Sequence, residues 1–304
     1  MAQANSKENT KAKTAGGSEP ATAVPGSKIT LTGTQQTNLT TLCARARDAV
    51  LARPLLNDTW ALHVLNQVKD YDFRRVQSGR FGCAFACKRA LILDRWAQSW
   101  LDEHPRATVI HLACGLDSRC LRLRWGGGAG AVAGSQKSTA DVCWVDLDLP
   151  DVVDLRRKLV PQPPPAPGVD YRLMGVSATD SGWLDDVPAD RPTLIIMEGL
   201  TMYLPERDGL AMLRRLLQRF SSGALIFDAV GSLTFRLQSM SGVMRKTGAR
   251  LTWAIDEPRH LELLDERLRF VENAGGPDLM SKGPHSGILP APCAGSSGSS
   301  ATRR

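Results

Sequence analysis

The chain has 304 residues, 42% of them hydrophobic, and a formal charge of +7. That is enough apolar material for one large core, so a single α/β domain with tails is expected. The basic residues are dispersed between the polar N-terminal stretch (Lys7, Lys11, Lys13, Lys28), the last two positions (Arg303, Arg304) and acid-interleaved helical stretches such as Arg207 to Arg219, so a solvated surface is the better reading and no nucleic-acid partner is expected.

Residues 1–27 are rich in Ala, Thr, Gly, Ser and Lys with almost no large apolar side chain, and are read as a disordered tail. They contain no apolar signal-peptide core, and nowhere do about 18 apolar residues run without a charge, so neither secretion nor a membrane span is expected. The seven cysteines lack CxxC spacing and several (Cys83, Cys87, Cys114, Cys120, Cys143) fall in apolar runs. Reduced thiols in a cytoplasmic protein fit that usage better than disulfides or a structural zinc site, and no metal is expected.

Apolar residues at helical spacing run from Asn38 to Val68, broken at Pro54 and restarted after Asn57 or Asp58 as N-cap, which predicts two helices. A third is predicted through Cys87 to Glu103, with Leu91, Ile92, Trp96 and Trp100 as its apolar stripe. After Pro105 the period changes. Short apolar runs at Thr108–Leu112, Val142–Val145, Thr193–Met197 and Ala224–Phe227, each followed by a turn and most by a helical pattern, predict an open, mostly parallel α/β sheet with helices on both faces. The Gly-rich segment Trp125 to Ala140 and the Pro-rich segment Pro161 to Gly168 read as surface loops, and disorder is expected beyond about Asn273.

Sheets of this kind bind ligands beyond the carboxyl ends of their strands. The turn HLACGLDSR (His111 to Arg119) follows the first strand and opens a helix. It fails as a dinucleotide fingerprint, because Gly115 is the only glycine of the GxGxxG pattern and Ala113 stands at its first position. A plain tight connection is the competing reading. In WVDLDLPD (Trp144 to Asp151), Asp146 and Asp148 lie near the carboxyl edge, where an ionised carboxylate accepts hydrogen bonds from both hydroxyls of a ribose. Alternatively, Asp148 or Asp151 caps the helix that begins at Pro150. Glu198 directly follows an apolar strand, where burial demands a cation: the ammonium of a ligand or a structural arginine.

Taken in order, LTGTQQTNLTTLCARARDA (Leu31 to Ala49), RPLLND (Arg53 to Asp58), DYDF (Asp70 to Phe73), ACGLDSR (Ala113 to Arg119), DLPDVVDLRRKL (Asp148 to Leu159) and PTLIIMEGLTMYLP (Pro192 to Pro205) resemble the leucine carboxyl methyltransferase family, and within it the branch of tetracenomycin-type polyketide O-methyltransferases. The resemblance spans roughly Ile29 to Val271. It implies a class I methyltransferase fold preceded by N-terminal helices that form a lid, and S-adenosyl-L-methionine as cofactor. Carried over residue by residue, it implies that Arg89 meets the methionine carboxylate and that Gly115 is the second glycine of the cofactor turn. Asp148 then binds the ribose, with Asp146 as neighbouring alternative; Ser177 and Ala178 lie beside the adenine; and Glu198 is the acid after the fourth strand. Tyr203 matches the family's MYL tyrosine, which is equally a core residue, and Arg45 of the lid helix is a further candidate for closing over the site. Two departures stand out. Ala113 replaces the first glycine of the family's turn, adding a methyl group where backbone and cofactor approach. After Glu272 the chain turns to Gly, Ser and Pro where the family continues into antiparallel strands.

The expected domain therefore runs over 28–272, with tails at 1–27 and 273–304. The expected activity is methyl transfer to a hydroxyl or carboxyl oxygen of a small molecule, polyketide-like, by a monomer or homodimer. Methylation of a protein's C-terminal leucine and an inactive S-adenosylmethionine-binding homologue are the alternatives. The missing glycines and the lack of a Tyr-Lys or His-Asp arrangement disfavour a nicotinamide-dependent oxidoreductase. The five histidines are scattered, and no general base stands out.

Overall fold

The computed structural model describes residues 35–68, 79–126, 141–238, 244–245 and 248–275. The DYDF element, the predicted N-terminal tail, most of the Gly-rich loop and nearly all of the C-terminal tail lie outside these residues.

The two predicted N-terminal helices form as α1 (Gln35–Ala49) and α2 (Thr59–Gln67). Asp58 caps α2 by accepting from the Ala61 amide at 3.0 Å. The carboxylate of Asp48, at the end of α1, accepts the amides of Leu55, Leu56 and Asn57 at 2.8–2.9 Å, and so fixes the connection around Pro54. Helix α3 (Arg80–Glu103) begins seven residues before the Cys87 start that its apolar stripe predicts.

Five strands follow: β1 (Arg106–Leu112), β2 (Asp141–Asp148), β3 (Val169–Gly175), β4 (Thr193–Met197) and β5 (Gly223–Phe227). They form one sheet in the order β3-β2-β1-β4-β5, and every pairing is parallel. The chain order reverses direction at β1, so the switch point lies between β1 and β4. This is the open, parallel α/β sheet that the sequence predicts.

Side chains alternate across the sheet. Ile110, Leu112, Val145, Leu147, Ile195 and Met197 pack with Met212, Leu213 and Leu216 of α6 (Glu206–Arg219) on one face. Val109, Val142, Trp144, Leu194 and Ile196 pack with Leu93, Ala97 and Leu101 of α3 on the other. A third cluster joins Leu39, Leu42 and Ala46 of α1 and Val64 of α2 to Leu116 and to Leu155 of α5 (Pro150–Leu159), so the N-terminal helices sit beside the carboxyl edge of the sheet.

The sequence reading differs from the structure in two further places. Strand β3 carries no apolar run, because an edge strand is only half-buried and VDYRLMG sends Asp170 and Arg172 toward solvent. The helix after the first strand, α4 (Arg119–Arg122), is a single turn. The Pro-rich segment does form an irregular connection, between α5 and β3. Among the described residues no helix is long and apolar enough to cross a membrane.

Candidate functional site

A cavity of about 480 Å³ opens at the carboxyl edge of β1 and β4. One side is built from the turn after β1 and the start of the segment after β4, with Ala113, Cys114, Leu116, Asp117, Glu198 and Gly199 in its wall. Helix α1 flanks this side with Asn38, Thr40, Thr41 and Arg45, and α3 contributes Arg89. The opposite side is mostly apolar, and includes Met202, Val230, Leu237, Met244 and Leu251, with Thr234 and Gln238 among them.

The turn is held from four directions. The Cys114 amide donates to Leu147 O at 3.1 Å and the Gly115 amide to Asp148 Oδ2 at 2.7 Å. Arg156 of α5 donates to the carbonyls of Gly115 and Asp117, and Arg45 donates to Leu116 O. Both Ala113 and Gly115 are left-handed, at φ 53° and φ 49°. Only glycine takes that conformation without cost, so Ala113 carries strain where the family has glycine.

Asp148 accepts from the amides of Gly115 and Leu149, both at 2.7 Å, and burial raises its pKa in spite of these donors. It does not cap α5: Leu149 is the N-cap and no side chain bonds there. Asp146 lies deeper, one pleat back along β2. It is fully buried, and accepts from Arg156, Trp144 Nε1, Tyr171 Oη and His111 Nδ1. Burial would raise its pKa, but Arg156 and His111 outweigh that and hold it low. With its acceptor sites taken inside the core, Asp146 is not available as the ribose alternative that the sequence left open; its contacts instead orient Arg156 under the turn.

Glu198 is paired with two arginines. Arg89 donates to Glu198 Oε1 through Nη2 at 2.9 Å and Arg119 to Oε2 at 2.6 Å. Burial works against ionisation of Glu198, yet the two guanidinium groups hold its pKa below the usual range. Arg89 also donates to Asp228 at 2.9 Å, and because it shares that one cation with Glu198, burial keeps the Asp228 carboxyl raised. The ionic chain continues inward, from Arg119 to Asp94 and Asp117 and from Arg122 to Asp58, Asp94 and Asp117, with Arg45 closing on Asp117 at 2.6 Å.

His111 lines the cavity, but both its ring nitrogens are engaged. Arg119 can only donate, so Nε2 accepts from it at 3.2 Å and Nδ1 carries the proton toward Asp146. Ser177 and Ala178 lie past the end of β3, next to the strand end that holds Asp148. The Val176 amide bonds to Asp148 O, Ser177 Oγ lies 2.8 Å from Thr179 Oγ1, and Ala178 packs on the sheet core. The structure thus brings Arg89 and Glu198 together at the cavity and sets Gly115 on Asp148 beside them, while Ser177 and Ala178 lie one strand further out.

Sequence reasoning missed Arg119, Arg156 and Asp228. Asp228 had a usable signal, because it follows β5 as Glu198 follows β4, at the same carboxyl edge. The arginines had none, since each meets its acids only through the fold.

A profile of the leucine carboxyl methyltransferase family matches residues 38–217. The chain is 42% identical over 247 residues to the tetracenomycin polyketide synthesis O-methyltransferase of Streptomyces glaucescens, covering 81% of this chain and 84% of that protein. It is 38% identical over 260 residues to an S-adenosyl-L-methionine-dependent methyltransferase of Gibberella zeae, covering 81% and 83%. Among solved structures, it aligns to an S-adenosylmethionine-dependent methyltransferase of Anabaena variabilis at 16% identity and a TM-score of 0.35, over 73% of this chain and 79% of that one.

Proposed function

The chain belongs to the leucine carboxyl methyltransferase family and is an S-adenosylmethionine-dependent methyltransferase, and from that premise we propose that it methylates a hydroxyl or carboxyl oxygen of a small, polyketide-like molecule. The observation that carries the reading is the pairing of Arg89 with Glu198 in a cavity wall directly beside the Ala113–Gly115 turn. An amino-acid group needs one cation and one anion within reach of each other, and this wall supplies both. The remaining residues fit the rest of the cofactor. Asp148 has lone pairs left after its two amide bonds, which in this reading accept from ribose hydroxyls. Ser177 and Ala178, beyond the next strand, suit the adenine side.

In this reading Arg89 holds the methionine carboxylate, Glu198 its ammonium, and the Gly115 backbone the close approach of the cofactor. The bound cofactor supplies a sulfonium-borne methyl group to an oxygen nucleophile, and holding that nucleophile in line is the protein's main contribution. The acceptor lies against the apolar side, between Met202, Leu237, Met244 and Leu251. Of the groups facing the cavity, His111, Asp117 and Glu198 are all engaged by arginine. An acceptor that is already anionic, such as an aromatic carboxylate or an acidic phenol, therefore suits this site best. We place the protein in the cytoplasm, where the absence of disulfides among the cysteines of the described residues is in keeping, as a monomer or homodimer. The domain itself we assign to residues 28–272.

Transfer of radiolabelled methyl from S-adenosylmethionine to a panel of aromatic acids, phenols and a peptide ending in leucine tests the reading. Label in the aromatic compounds is expected. Label in the peptide alone would instead make this a protein carboxyl methyltransferase.

A further inference from the structure

The wall contributed by α1 carries two polar atoms that the fold does not satisfy. Thr40 is 8% exposed, and its Oγ1 has no hydrogen-bond partner among the described residues. Arg45 uses its terminal nitrogens on Asp117, Asp58 and Leu116 O, and leaves Nε unpaired. Both residues line the cavity. A helical threonine usually turns its hydroxyl back to a carbonyl of the preceding turn, as Thr41 does to Asn38 O at 3.0 Å. Thr40 makes no such bond, and a buried hydroxyl left this way is destabilising where a valine of the same shape is not.

The position of α1 says what the hydroxyl serves. Asn38 packs against the turn after β1, since a Cβ on Gly115 would stand 2.9 Å from its side chain. Arg45 reaches the same turn at Leu116. Thr40, on the same helix, lines the same cavity, and its unpaired hydroxyl is open to a ligand held there. We propose that Thr40 is a ligand-binding residue whose hydroxyl hydrogen-bonds the polar end of bound S-adenosylmethionine or S-adenosylhomocysteine, so that the α1 wall is fully satisfied only with the cofactor in place. The inference rests on the methyltransferase reading above.

Titration with S-adenosylhomocysteine, together with thermal melting of the free protein, tests it. Thr40→Val is expected to weaken binding about five- to tenfold, the size of one lost hydrogen bond. It should leave the melting temperature of the free protein unchanged or slightly higher, because the orphan hydroxyl is gone. Thr40→Ser should restore binding. If wild type binds and Thr40→Val binds equally well, the inference fails while the cofactor reading stands. If affinity is lost together with melting temperature, and serine does not rescue it, Thr40 is structural and the inference fails. If folded wild type does not bind at all, the cofactor reading fails and this inference with it.

Discussion

The two sides of the cavity are built on different principles. The turn side is a lattice of buried ions, in which Arg45, Arg89, Arg119, Arg122 and Arg156 face Asp58, Asp94, Asp117, Asp146, Glu198 and Asp228. The apolar side is held by a few neutral bonds: Gln238 accepts from Leu251 N at 2.8 Å and donates to Leu251 O at 3.3 Å, while the Thr252 amide donates to Met202 O at 2.8 Å. Trp253 anchors this segment on Gly209 of α6, where a Cβ would come within 2.3 Å of the indole. Charges without water hold one geometry, because losing a partner strands the other; neutral contacts of this kind allow repacking. On the proposed reading the rigid side holds the cofactor and the adaptable side the acceptor.

Substitutions separate the two sides. The largest effect is expected for Arg119→Met. Its side chain is fully buried between Asp94, Asp117 and Glu198, so removal takes one of the guanidinium groups that each of these buried acids shares and should cost about 3–5 kcal/mol in a urea titration. Next is the acid limb of stability. Glu198 and Asp117 have folded-state pKa values below the usual carboxylate range, where guanidinium groups outweigh burial. Their contribution is therefore complete above pH about 4 and is lost as pH falls below it. Glu198→Gln should flatten this limb in pH-dependent melting. Asp228 and Asp148, whose pKa values burial raises, act in the opposite sense and contribute no stability that acid would remove.

On the apolar side, Gln238→Ala removes two hydrogen bonds between partly buried groups, so a loss of about 1 kcal/mol is expected. The KM for the acceptor should rise severalfold while S-adenosylhomocysteine binds as before. If cofactor affinity falls equally, the two sides are not independent. The smallest effect has the opposite sign. Ala113→Gly relieves the left-handed φ of 53° and should raise the melting temperature by roughly 1–3 °C, since the relief exceeds the entropy that glycine adds to the unfolded chain.

The same contrast explains what the sequence could disclose. Strands β1, β2 and β4 read as short apolar runs, with β2 extending past its predicted end to Asp148, because central parallel strands are apolar on both faces, and β5, the other edge strand, is legible through its run GALIF. Strand β3, at the edge, broke that pattern with Asp170 and Arg172. The N-cap at Asp58 and the acids at strand ends were legible because each is a local signal. The ion lattice was not, since Arg89 and Asp228 lie 139 residues apart and only the sheet brings them together. Asp146 and Asp148 looked interchangeable in sequence. One bonds Arg156 inside the core and the other accepts the Gly115 amide, a difference set by position along the strand, because the two share a face and only Asp148 stands at its carboxyl end.

Calorimetric titration of S-adenosylhomocysteine into the wild type, Arg89→Met and Asp148→Asn tests the central claim most directly. The account predicts micromolar binding to the wild type and a loss of at least about tenfold in each variant, with all three proteins folded by circular dichroism. A folded wild type that does not bind, or variants that bind as tightly as wild type, would contradict it.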